Sequence, residues 1–107
     1  MNKLSGYTSY TLKSGRFVEF KICNGTYHLS ARLMGFRTHE EAALSLVPPK
    51  KEAIDEEGKT VLIDDINTDY VDRIYKFIFC AAQYAALAQN KPVDFTEFDI
   101  WEWLEEV

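Results

Sequence analysis

His28 and His39 are the only histidines in this chain, and Cys23 and Cys80 are its only cysteines. Cys23 and His28 make a lone pair, whereas a structural zinc site needs four ligands at characteristic spacing. A thiol–imidazole nucleophile would need a third group to orient the base, and no local signature of that kind surrounds either cysteine. Cys80 lies within Ile78-Phe79-Cys80-Ala81-Ala82 and reads as a small core hydrophobe, unpaired with Cys23. Carboxylates stand in adjacent pairs at Glu40-Glu41, Glu56-Glu57, Asp64-Asp65 and Glu105-Glu106. Adjacent helical positions diverge, and acid–base work needs one hydrated and one desolvated carboxyl, a distinction absent from the sequence. The five glycines are scattered at turns and form no phosphate-cradling loop. The expectation is therefore a chain with no catalytic residues, no metal and no cofactor, whose work is recognition.

A length of 107 residues fits one domain, and a hydrophobic share of 47% is enough to build a packed core. The net charge of −5 is unevenly distributed. Residues 1–50 carry seven Lys/Arg against three Asp/Glu (+4), and residues 51–107 carry five against fourteen (−9). An acidic whole disfavours nucleic acid as a partner. The split is either simply solvated or a basis for head-to-tail association with another copy. No run reaches the length of a membrane span, and Met1–Tyr10 lacks the apolar segment of a signal peptide, so the expected location is the cytoplasm.

The elements that must position any surface follow from periodicity. Tyr7–Leu12 and Arg16–Ile22 read as a hairpin joined by Lys13-Ser14-Gly15, with Gly15 in the left-handed position. That loop pairs Leu12 with Arg16 and Tyr10 with Val18, and puts Tyr10, Leu12, Val18 and Phe20 on one face. Asn24-Gly25 reads as a further turn. Beyond it Tyr27, Leu29, Ala31 and Leu33 alternate, which favours a third strand and a meander over residues 1–33. The competing reading is a short helix from Thr26 that ends at Gly35.

Thr38 and Glu41 match a capping box, opening a short helix within 38–47 that stops before Pro48-Pro49. The charged stretch 48–60 reads as an exposed loop. From Asn67 a long helix runs to about Gln89, before Asn90 and Pro92. Val71, Ile74, Tyr75, Ile78, Ala81, Ala82, Ala85 and Ala88 form one stripe along it. Tyr70, Phe77, Cys80, Tyr84 and Leu87 form a second, so the helix is taken as the central element of the fold. A final helix begins at Thr96 or Asp94 and carries Trp101 and Trp103, which point about 160° apart at 100° per residue. One tryptophan then faces the core and the other lies near solvent. The expected fold class is α+β: a small N-terminal antiparallel hairpin or meander on a helical C-terminal half with one long central helix, residues 68–107 holding both helices. Candidate partner-binding residues are Phe77, Tyr84, Leu87, Phe98, Trp101 and Trp103, since aromatic ridges are the usual anchors of protein interfaces.

In order and type of parts the chain resembles the tail assembly chaperones of long-tailed bacteriophages and their prophage relatives. The likeness rests on the hairpin opening Leu12-Lys13-Ser14-Gly15-Arg16-Phe17-Val18-Glu19-Phe20 and on the helix Ile74-Tyr75-Lys76-Phe77-Ile78-Phe79-Cys80-Ala81-Ala82. It extends to the break Gln89-Asn90-Lys91 and the ending Asp94-Phe95-Thr96-Glu97-Phe98-Asp99-Ile100-Trp101-Glu102-Trp103-Leu104. Residues 24–66 lie outside it. The resemblance implies a non-enzymatic chaperone that holds the long apolar tape measure protein soluble, with the tail tube protein as a further partner. A homo-oligomer is a further state, expected from the charge split and not from the resemblance. Two other readings remain open at this stage: a general protein–protein adaptor using the same helix, and a small enzyme with a pocket holding His28 or His39 beside a buried carboxylate.

Overall fold

A computed structural model describes residues 6–106. The chain is α+β, with two antiparallel hairpins and four helices among the described residues. β1 (Tyr7–Thr11) and β2 (Phe17–Lys21) pair with Tyr10 opposite Val18, the expected register. Leu12 N–H donates to Arg16 O at 2.8 Å, and Gly15 turns the loop at φ 90°. Leu12, Val18 and Phe20 are buried, while Tyr10 stays at the rim of the same face, its ring edge-on to Phe20 with centroids 6.3 Å apart.

The next segment is α1 (Asn24–Met34), which corrects the expected third strand. Cys23 N–H donates to Thr26 Oγ1 at 3.3 Å, and Gly35 closes the helix in the left-handed conformation at φ 77°. Burial follows a helical period, since Thr26, Ser30 and Ala31 are inside while Leu33 of the strand pattern is exposed. Asn24-Gly25 is not a turn either. A Cβ on Gly25 would stand 2.0 Å from Tyr84 Cε2, so this glycine is used for close approach of two elements.

α2 (His39–Ser45) starts as expected, with Thr38 Oγ1 accepting from Glu41 N–H at 3.1 Å. Its far end is tied to the long helix, because Tyr70 Oη donates to Leu46 O at 3.0 Å and Arg73 Nε to Ser45 O at 3.1 Å. The expected charged loop 48–60 is instead largely a second hairpin, β3 (Lys50–Ile54) and β4 (Thr60–Asp64). Asp55 nucleates it: its Oδ1 accepts from Glu57 N–H and Lys59 N–H at 2.9 and 2.8 Å, while Gly58 takes φ 81°. The side-chain turn and the left-handed glycine close the chain despite its charge.

α3 (Thr68–Ala88), capped by Asn67 through Tyr70 N–H at 2.8 Å, is the central helix. It packs on α1, on β2 and on α4 (Glu97–Leu104), so both of its apolar stripes are largely covered within the chain. Thr96 caps α4 in a reciprocal box with Asp99. The core joins Leu12, Val18 and Phe20 to Ala81, Ala82, Ile100 and Trp103. No helix among the described residues is long and apolar enough to cross a membrane.

Candidate binding surface

The alternation of β1–β2 sets Phe20 and Tyr10 toward α3, and the alanines of α3 let the hairpin and α4 approach closely on either side. Where these elements fail to meet, an apolar groove of about 260 Å³ opens, lined by Thr8, Tyr10, Phe20, Ile22, Phe77, Ile78, Ala81 and Leu104. Among the described residues it holds no charged side chain. Its volume lies below the ~300–1,000 Å³ of small-molecule sites and suits a few inserted apolar side chains.

The groove continues into a ridge. Phe98, Trp101 and Leu104 follow one another at three-residue spacing on α4, and Tyr75 and Ile78 do the same on α3. Tyr75 and Trp101 stack with ring centroids 3.7 Å apart and planes 12° from parallel. Leu104 and Ile78 sit in the groove, so groove and ridge form one apolar track from Ile22 to Phe98. Phe98 is 69% exposed and Trp101 41%. Lys76 runs alongside, its Nζ 2.8 Å from Asp72 and 3.6 Å from Glu97, which pins the first turn of α4 to α3. The hydrogen bond to Asp72 leads the effects that raise its pKa, with the charge of Glu97 adding to it.

The six candidate residues therefore separate. Phe98 and Trp101 lie on the track, and Phe77 forms part of the groove wall while its ring packs on Tyr27 at 5.1 Å. Trp103 is turned inward against Phe95 at 5.1 Å, under the Arg16 guanidinium at 4.8 Å from its ring centroid. It lines a second concavity of about 300 Å³ between β2 and the loop before α4, where Arg16, Glu19, Lys91 and Asp94 mix charge with apolar surface. Tyr84 is occupied against Gly25 of α1. Leu87 is exposed but lies nine residues after Ile78, about 180° around α3 and about 14 Å along it. Ile22, Ile78 and Leu104 were missing from the sequence expectation. Ile22 continues the alternation of Val18 and Phe20, the signal that marks it.

The groups singled out for chemistry are dispersed. His28 Nδ1 lies 3.3 Å from His39 Nε2 at the exposed α1–α2 corner, and neither histidine lines the groove or the second concavity. No group of three or more metal-binding side chains occurs among the described residues. Cys80 is buried, and burial followed by the nearby charge of Glu97 pushes its pKa up to about 11. At Cys23 partial burial acts upward, but hydrogen bonding from Thr26, Gly25 and Tyr84 outweighs it and lowers the pKa. Both thiols are free. Part of the charge asymmetry closes internally, since Arg16 meets Asp94 at 2.7 Å. The backbone N–H of Lys13 also donates to Glu106 Oε1 at 2.8 Å, tying the two halves without pairing charge. No protein-family model, curated protein or solved structure matches the chain.

Proposed function

We propose that this chain is a non-catalytic binding protein whose apolar track receives one face of a helix, and that it acts as a tail assembly chaperone for a tape measure protein. The apolar groove, free of charge among the described residues and running into the Tyr75–Trp101 ridge, carries this reading. An amphipathic helix presents apolar side chains at three- and four-residue spacing, and a track made of a small groove plus a flat aromatic shelf matches that footprint. Arrangement matters here as much as area. Trp101 is held rigidly by the stack on Tyr75, so little side-chain entropy is lost when it is covered.

The tail-chaperone assignment draws on the resemblance of the hairpin opening, the central helix and the Trp-Leu ending. Its test is co-expression with the tape measure protein of the same genome. Soluble tape measure protein that copurifies with the chain, and is lost with Trp101→Ala, supports the assignment. An insoluble tape measure protein whatever the variant contradicts it. Recovery of a different partner that still depends on Trp101 would leave the binding track and reassign the chain as an adaptor.

A further inference from the structure

The β3–β4 hairpin is a two-stranded sheet with no further strand on either edge among the described residues. All five residues of β4 are exposed, Leu62 at 67%. A lone hairpin of this length is marginal in water, and three or more strands are the usual minimum for independent stability. The molecule is correspondingly extended, with a radius of gyration of 16.6 Å where a compact chain of this length has about 13 Å.

The two edges are not equivalent. β3 reads Lys50-Lys51-Glu52-Ala53-Ile54, with the charge that guards natural edges against pairing. β4 reads Thr60-Val61-Leu62-Ile63-Asp64, with its centre free of charge. Asp55 and Lys59 are a hydrogen-bonded pair at one end of the hairpin, and Asp65 N–H donates to Pro49 O at the other. Antiparallel alternation then points the backbone groups of Val61 and Ile63 at β3 and those of Thr60, Leu62 and Asp64 outward, unpaired.

We propose that β4 pairs antiparallel with β4 of a second copy across a twofold axis at Leu62, making a four-stranded sheet. A twofold axis perpendicular to the sheet keeps each face on its own side, so full overlap of the five residues centres on the middle one. Leu62 then faces Leu62 of the partner subunit, and Thr60 faces Asp64 of the partner subunit. The outward backbone groups meet in about six hydrogen bonds. Val61 comes opposite Ile63 of the partner subunit, and the reciprocal pair doubles this β-branched contact, with Ala53 beside each Val61 and Lys51 beside each Ile63 on the outer strands. The one charged residue of β4 faces a hydroxyl. The same operation on β3 would set Glu52 against Glu52 of the partner subunit, and like charges directly opposite are unfavourable. The Lys50–Asp64 and Lys51–Asp65 ion pairs at the base leave the centre of the β4 edge as the apolar seam.

The test uses the full chain in a Cys23→Ser background, with sedimentation velocity across a concentration series. A reversible dimer is expected, weakened about tenfold or more by Leu62→Lys, which sets two ammonium groups together. Under mild oxidation Leu62→Cys gives a covalent dimer, since a hydrogen-bonded antiparallel pair sets Cα atoms ~5.5 Å apart, within disulfide reach. Glu52→Cys does not, because the outer strands stand about 14 Å apart. A monomer at every concentration overturns the proposal. So does a dimer untouched by Leu62→Lys, or equal cross-linking through Glu52→Cys and Leu62→Cys. Circular dichroism and the combined fluorescence of Trp101 and Trp103 establish that each variant keeps its folded body.

Discussion

The two hairpins are closed by the same turn. In each, three loop residues end in a left-handed glycine, Lys13-Ser14-Gly15 and Glu56-Glu57-Gly58. Leu12 exchanges hydrogen bonds with Arg16 and Gly15 at 2.8 Å each, and Asp55 does so with Lys59 and Gly58 at 2.9 and 3.0 Å. Their surroundings are opposite. β1–β2 lays Val18 and Phe20 on α3 and enters the core, whereas β3–β4 packs on no other element among the described residues to a comparable extent. Local turn chemistry decides that a hairpin forms, and the side chains on its faces decide what the hairpin is for. A face of large apolar residues finds the nearest helix. A hairpin with its charge gathered on one strand and its aliphatics on the other is left reaching outward.

The largest expected effect breaks the contrast from the core side. Phe20→Ala should cost about 3–5 kcal/mol in chemical denaturation, because it empties a packed site between β2 and α3. Leu62→Ala in the arm should shift the stability of the monomer by no more than about 0.5 kcal/mol. Similar losses at the two sites would mean that the arm is part of the cooperative core.

The tryptophans sharpen the same distinction on one helix. Trp103→Ala should destabilise by about 3–5 kcal/mol, and Trp101→Ala should leave stability nearly intact while weakening partner binding by about 2 kcal/mol. Matching losses of stability would place both rings in the core.

A smaller effect comes from alkali. The folded pKa of Cys80, about 11, lies above its ordinary 9.0, so the stability it contributes is complete below pH 9.0. That contribution is lost as pH rises toward 11, because only the unfolded thiol ionises freely in that window. Denaturation midpoints should therefore fall over this interval, and fall less in Cys80→Ala. An identical pH slope in both would rule out the buried thiol as the cause.

How far the sequence spoke depended on how local the signal was. The first hairpin, its register, the Thr38 and Thr96 caps and the long helix were all legible, since each rests on residues within a few positions of one another. α1 was misread because Tyr27, Leu29, Ala31 and Leu33 alternate by accident, and because the purpose of Gly25 lies 59 residues away at Tyr84. The second hairpin was hidden behind its charge, although its loop carries the same glycine signal as the first. Phe98 and Trp101 were identified from their surplus over core needs. The groove was invisible, because it exists only where two strands and two helices come together.

The central claim is that a partner helix is held by the track and not by exposed apolar surface in general. Ile22 and Leu87 are exposed to nearly the same degree, 57% and 53%, but only Ile22 lies in the groove. Affinity for the proposed partner, the tape measure protein, measured by titration calorimetry with Ile22→Glu and Leu87→Glu, separates the two cases. The expected result is a loss of about tenfold or more, roughly 1.4 kcal/mol, with Ile22→Glu and no change with Leu87→Glu. Equal losses from both, or a loss confined to Leu87→Glu, would contradict it.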